Sequence, residues 1–340
     1  MSKVLVTGVA GLIGSWVANE LITRGHEVVG IDNYSGGRRE NVVELTGKGM
    51  TFINDDVANI CDHKRFLTDV EVVYHFAACA AEIQSLYRPC NDVMNNLFAF
   101  HRLMEECIRL GSVKRFVFTS SMAAYGHLPE SKAPFREDER PQPADFYGVN
   151  KLAIEHSLPI YKSIHGIDYV IFNPHNVFGS RQVMDDPYRN VLAIWASMIN
   201  HGKSPFVYGD GNQVRSFTHI SDVSPWIADA GFDKRYLNAK YNIGSTEPVR
   251  LKDACALLCK EMDWVDGYKF APARVGEVKI AYCDQSKLKA SVGYKAKVKF
   301  ADGLKEFCGY AKTQKDLAFN YIDDWEIQKG VPIQWREKWL

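Results

Sequence analysis

A tyrosine and a lysine four residues apart, Tyr147 and Lys151 in Asp145-Phe146-Tyr147-Gly148-Val149-Asn150-Lys151, would share one face of a helix. That spacing suits a phenol used as a base. A free phenol titrates near pH ~10, so a proton acceptor at neutral pH needs lowering by ~3 units, or ~4 kcal/mol. One cation ~5 Å away at an effective dielectric of ~20 supplies roughly 3 kcal/mol. Taken alone, the pair reads more readily as an exposed helical couple, and other segments reverse that reading. Ser121, just past a β-branched run, carries a donor and an acceptor on one hydroxyl, as a proton relay requires. A turn-forming serine is the competing reading for that residue by itself.

A second group of residues could hold a diphosphate. In Thr7-Gly8-Val9-Ala10-Gly11-Leu12-Ile13-Gly14 the glycines allow a tight turn, close approach of backbone to a pyrophosphate and close packing of helix on strand. The spacing is Gly-x-x-Gly-x-x-Gly. Asp32, with Asn33 beside it, ends the next strand, where a carboxylate accepts from ribose hydroxyls and repels a 2'-phosphate. NAD is therefore expected rather than NADP, with Arg38 and Arg39 as the contrary sign. The positive ring of an oxidised nicotinamide would add to the field on Tyr147.

Stepping outward, Lys3–Thr7, Glu27–Ile31, Thr51–Asn54, Val72–Phe76, Arg115–Thr119 and Tyr169–Phe172 read as strands, and Leu12–Arg24, Asn91–Leu110 and Tyr147–His165 as helices. The alternation implies an α/β fold with a doubly wound parallel sheet of Rossmann type. Gly25 and Gly111 stand where left-handed caps would end two helices. After about Gly179 turn residues multiply. An NAD-binding domain over residues 1–178 and a smaller, loop-rich ligand-binding lobe over 179–340 are expected, with some later segments free to return to the first domain.

The 340 residues, 46% of them apolar, can bury a large core, and 41 basic and 41 acidic side chains cancel. Balanced charge argues against a nucleic-acid footprint or an anionic membrane surface. The chain starts straight into a strand without the pattern of a secretory signal, and no apolar run reaches the ~20 residues of a membrane span. Eight scattered cysteines without Cys-x-x-Cys suit reduced thiols, so a cytoplasmic protein is expected. Cys255 and Cys259 share a helical face but read as core, and no metal site is expected.

The glycine run, Tyr147 with Lys151, and Ser120-Ser121-Met122-Ala123-Ala124-Tyr125-Gly126 together resemble the extended short-chain dehydrogenase/reductases, and within them the nucleotide-sugar epimerase and dehydratase group, most of all the UDP-hexose 4-epimerases. The likeness runs from Val4 to about Tyr294. It implies that Asp56 and Val57 sit by the adenine, that Phe76, Ala77 and Ala78 line the cofactor, and that Asn96 supports the backbone on that side. It also implies that Arg215 and Arg274 bind the substrate diphosphate, a task that suits a planar guanidinium. Asn176 matches the asparagine near that diphosphate, and Asn190, Val191, Val207 and Tyr208 fall where the group packs the nucleobase. Asn173, Ser216 and Glu277 depart from the common pattern around the sugar nucleotide.

The resemblance implies a reaction in which Tyr147 removes the proton of the sugar 4-hydroxyl, through or beside Ser121, as hydride leaves C4 for NAD. Related dehydratases carry an acidic pair after the serine or threonine, and decarboxylases a glutamate two residues on. Here Met122 and Ala123 stand there, and neither moves a proton. With no second acid or base expected beside the sugar, return of hydride to the opposite face of the ketone is the simplest outcome, which is C4 epimerisation. Ala281 matches a position that is a bulky tyrosine in hexose-restricted relatives, so UDP-N-acetylhexosamines are expected alongside UDP-hexoses. The alternatives are a 4,6-dehydratase or other sugar oxidoreductase using the same first step, and a non-catalytic NAD-binding protein. A third alternative is a docking role for Ala318–Leu340, whose Trp325, Trp335 and Trp339 otherwise cover a flank of the second lobe. A homodimer is expected from the resemblance, through the helices at Asn91–Leu110 and Tyr147–His165.

Overall fold

The fold grows from six short runs with β-branched and aromatic residues and a seventh, Ala239–Ile243, that pair side by side. A computed structural model describes residues 1–273, 278–315 and 317–339. The strands are β1 (Lys3–Thr7), β2 (Glu27–Asp32), β3 (Thr51–Asn54), β4 (Val70–His75), β5 (Arg115–Thr119), β6 (Asp168–Pro174) and β7 (Ala239–Ile243). They lie in the order β7-β6-β5-β4-β1-β2-β3, and every neighbouring pair is parallel. Six of these follow the expected runs, with ends differing by one or two residues. The seventh comes from far beyond the first six and finishes the sheet beside β6.

Alternation along each strand sends side chains to two separate cores. Val4, Val6, Val28 and Tyr74 pack with Val17 and Leu21 of α1 (Leu12–Thr23) and with Ile227 on one face. Leu5, Val29 and Phe116 pack with Phe100, Leu103 and Ile154 on the other. The helices there are α2 (Ala99–Leu110) and α3 (Phe146–His165), both closed by glycines in the left-handed region, Gly111 at φ 70° and Gly166 at φ 75°. The expected single helix from Asn91 is interrupted: Pro89–Val93 leads into a wider π turn at Met94–Phe98 before α2 begins.

A third core, built on Phe178, Trp195, Phe217, Leu258 and Phe307, belongs to the second lobe. Its main helices are α4 (Val191–Asn200), α5 (Leu251–Glu261) and α6 (Phe300–Lys312). Cys255 and Cys259 lie inside this core. Because β1 neighbours both β2 and β4, the strand order reverses there, which is where an open parallel sheet leaves a crevice beyond its carboxyl ends. Among the described residues no helix is long and apolar enough to cross a membrane.

Candidate active site

The turn after β1 can only be glycine-built. A Cβ on Gly8, whose φ is 68°, would stand 2.6 Å from the Ala77 nitrogen, and one on Gly14 would stand 2.1 Å from the Gly8 carbonyl oxygen. Gly11 caps α1, so Leu12 and Ile13 open the helix with their N–H groups facing the turn. Thr7 Oγ1 accepts from the Phe76 and Ala77 N–H groups, both at 3.2 Å, and so ties the loop after β4 to β1. Together these contacts make a cradle into which a side chain would not fit and a pyrophosphate would.

At the end of β2, Asp32 accepts from the Ala10 N–H at 3.0 Å and the Tyr34 N–H at 2.7 Å. Burial pushes its carboxyl above the ordinary range, against these two bonds, and ribose hydroxyls donating to it would favour the carboxylate. Asn33 donates to Asp56 at 2.8 Å, while Asp56 also accepts from the Ala58 N–H and fixes the turn at Val57. These residues, with Phe76, Ala77 and Ala78, line one end of a cleft of about 600 Å³. Asn96 does not line it. Its buried amide instead grips Cys79, accepting from the N–H at 3.2 Å and donating to the carbonyl at 3.3 Å, and so shapes the loop from behind.

Ser121, Tyr147 and Lys151 meet in the middle of the cleft. Ser121 accepts from the Ala123 N–H at 3.1 Å, and its hydroxyl acts on the Tyr147 phenol in the direction that favours ionisation. Asp145 caps α3 by accepting from the Gly148 N–H at 2.7 Å, and the Tyr147 N–H donates to Ser85 at 3.1 Å. The start of α3, and with it the tyrosine, is thereby fixed in angle and height. Lys151 is buried, donates to the Thr119 carbonyl at 3.0 Å and holds its Nζ 5.6 Å from the centroid of the Tyr147 ring. Burial lowers the Lys151 ammonium to about 8, opposed by the charges of Asp92 and Glu155.

The electrostatics differ from the expectation for this pair. Burial raises the Tyr147 phenol well above its ordinary value, Glu82 raises it further, and the Ser121 hydrogen bond and Arg189 pull it down. Arg189 is the cation that acts on the phenol within the protein. Nothing in the spacing of Arg189 flagged it, although its partner Asp186, three residues back at 2.8 Å, makes a recognisable pair.

Asn176, Asn190, Val191, Tyr208, Arg215 and Ala281 line the same cleft. Asn190 caps α4 through the Leu192 N–H, and Asn176, at φ 29°, donates to the Ser216 carbonyl at 2.9 Å. Arg215 donates to the Val214 and Val278 carbonyls at 2.9 and 2.7 Å, which holds its guanidinium at the cleft wall. Val207 is a correction: the short strand Phe206–Tyr208 alternates, so Phe206 and Tyr208 face the cleft while Val207 is 1% exposed in the lobe core. Arg274 and Glu277 lie outside the described residues.

Two further carboxyls, Glu82 and Asp145, also line the cleft. Burial lifts Asp145 to about 7. Its position as the cap of α3 explains its hydrogen bond but not its place in the cleft. Met122 lines the cleft too, and packs against the apolar cluster of Tyr125, Phe135 and Cys283. Trp335 also lines the cleft. It packs edge-on against both Tyr87 and Tyr188, so the last tryptophans reach beyond the flank of one lobe. Among the described residues no group of three His, Cys, Asp or Glu is arranged to hold a metal.

Residues 4–244 match the model of the NAD-dependent epimerase/dehydratase family, and the chain belongs to that family. NAD is accordingly its cofactor, in keeping with the glycine cradle and Asp32. Along its length the chain is similar to particular 4-epimerases. It is 30% identical over 309 residues to a UDP-glucose 4-epimerase of Mycolicibacterium smegmatis, covering 89% of this chain and 96% of that one. The structure of a UDP-N-acetylglucosamine 4-epimerase from Methanobrevibacter ruminantium, in complex with UDP-N-acetylmuramic acid, superposes with a TM-score of 0.85 at 29% identity over 92% of this chain and 99% of that one. A UDP-glucuronic acid 4-epimerase from Bacillus cereus, in complex with UDP-glucuronic acid and NAD, gives 0.84 at 30% identity over the same shares.

Proposed function

We propose that the protein is a nucleotide-sugar 4-epimerase acting on a UDP-hexose or UDP-N-acetylhexosamine. The observation that carries this reading is the meeting of Ser121, Tyr147 and Lys151 on the wall of the cleft that the glycine turn and Asp32 also line. When bound, oxidised NAD supplies a reversible two-electron acceptor and a positive ring whose field favours the phenolate. Gly8, Gly11 and Gly14 admit its pyrophosphate, Asp32 holds its adenosine ribose, and Lys151 is suited to orient the nicotinamide ribose.

Tyr147 takes the proton of the sugar 4-hydroxyl, with the Ser121 hydroxyl bridging the two oxygens. The phenol is uncharged in the surroundings the protein provides, so proton transfer waits until the site is filled with charge of the right sign. That arrangement guards the base against idle ionisation. Arg215 and Asn176 hold the diphosphate while the ketone turns its other face, and the proton returns from Tyr147 to the product. Ala281 leaves room for a 2-acetamido group.

Tyr147→Phe should lower turnover by at least ~10³-fold, in line with loss of a proton-transfer group, while NAD affinity measured by calorimetry stays within a factor of ~2. Near-normal turnover would remove the tyrosine from the reaction. Glu82 and Asp145 favour a second reading, 4,6-dehydration, because they bring carboxyls to the cleft. Against it, Asp145 is committed to the α3 cap, and Met122 and Ala123, which line the cleft just after Ser121, carry no group that moves a proton. A panel of UDP-sugars followed by NMR separates the two: inversion at C4 supports epimerisation, and a 4-keto-6-deoxy product selects dehydration. The exposed apolar side chains Met94, Phe98, Ile160 and Ile164 on the segments around α2 and α3 support a homodimer formed through these helices.

A further inference from the structure

The last segment, residues 319–339, has one short helix, Ile333–Arg336, yet it is anchored on both lobes. On the second lobe the Asn320 N–H donates to the Asp185 carbonyl and the Ile322 N–H to the Tyr188 hydroxyl, both at 2.7 Å. On the sheet domain the Ile327 N–H donates to the Tyr87 carbonyl at 3.0 Å. There Glu326 accepts from the Cys90 and Asn91 N–H groups at 2.8 and 2.7 Å, at the start of the helix Pro89–Val93, where unpaired N–H groups favour an anion. Arg88 pairs with Asp324 at 3.1 Å.

Between these anchors Trp325 and Trp335 stack with centroids 5.8 Å apart and planes 6° apart. Both meet Tyr87 edge-on from one side and Tyr188 from the other. Tyr87 follows closely on Ser85, which receives the Tyr147 N–H, and Tyr188 directly precedes Arg189. The aromatic block therefore rests on the two segments that flank the tyrosine. Trp335 is 5% exposed and lines the cleft, whereas Trp339 is 49% exposed and does not.

We propose that residues 319–339 form a strap across the cleft, presenting Trp335 as a wall that retains the oxidised sugar between the two half-reactions. The inference rests on the epimerase reading above. Oxidation breaks the sugar C4–H and 4-hydroxyl O–H bonds, the electron pair and hydrogen going to NAD and the proton to Tyr147. If the ketone then escapes, reduced cofactor stays behind and the cycle stops. A sugar that must turn over cannot be held by a fixed set of directional hydrogen bonds, so retention falls to the nucleotide and to a wall indifferent to orientation. An aromatic face meets that need, and sequestering an intermediate is what closing elements do in other enzymes.

The test uses full-length holoenzyme with UDP-glucose and UDP-N-acetylglucosamine as probes. Trp335→Ala and Glu326→Ala should each raise the fraction of enzyme trapped in the reduced form, read by nicotinamide absorbance per molecule of product, by about tenfold, equivalent to about 1.4 kcal/mol of lost retention. KM for the sugar nucleotide should rise while affinities for UDP alone and for NAD hold, and Trp335→Phe should restore most of the partition. Glu326 lies outside the cleft lining, so its variant separates the strap from a mere change of pocket surface. An unchanged partition in both variants overturns the proposal, as does a parallel fall in UDP and NAD affinity, which would mark general loosening. A wild-type enzyme that inverts neither probe nor any other UDP-sugar overturns the epimerase reading itself, a result distinct from wild-type inversion without leakage in the variants.

Discussion

Asp145 shows how one side chain can serve two ends at some cost. It caps α3 and so sets the height of Tyr147, but burial raises its carboxyl to about 7. The folded protein then keeps a proton that the unfolded chain has already lost, so this group's contribution is complete below the ordinary carboxylate range and falls away as pH rises through about 7. Asn at this position retains the capping oxygen without the charge. Asp145→Asn should therefore melt above wild type by a margin that widens from about pH 5 to about pH 8, measurable by calorimetry. A constant margin would show that the carboxyl does not titrate in that window. The tyrosine and lysine were legible only beside the glycine run and Ser121, since their spacing alone reads as an exposed helical pair. The direction of the phenol's shift was not legible, because it is set by burial and by Glu82, whose effects arise only on folding.

Among the elements, the β1 turn and α1 were fully legible, since glycine spacing reports steric need directly. Adding a methyl at Gly14 must displace the Gly8 carbonyl, so Gly14→Ala should cost about 1–3 kcal/mol of stability and weaken NAD binding, as read by denaturant titration with and without the dinucleotide. No loss of stability would mean that the turn relaxes more freely than its packing suggests. Less legible was the break in the helix after Asn91. The π turn at Met94–Phe98 accompanies the inward aim of Asn96, whose amide holds Cys79 and donates to Asp92 at 2.9 Å. Such turns recur at functional sites, but a helical hydrophobic period does not announce them. Val207 was misplaced for a related reason: a three-residue strand is too short for its alternation to be read before its neighbours are known.

For the molecule as a whole, the apolar side chains left outside around α2 and α3 predict a paired state. Phe98→Glu and Ile160→Glu should each shift the protein toward monomer in sedimentation or light scattering, with the fold retained by circular dichroism; an unchanged mass would place the interface elsewhere. The sequence allowed for a later segment returning to the sheet but did not say which one, because β7, Ala239–Ile243, has a single β-branched residue and reads as no strand until its partner is known. That return has a consequence for synthesis. Until residue 243 has left the ribosome, β6 offers its unpaired backbone as an open border to any extended segment nearby. A nascent chain stopped near residue 178 should stick to its own kind or to a chaperone, and only the late arrival of Ala239–Ile243 closes that border.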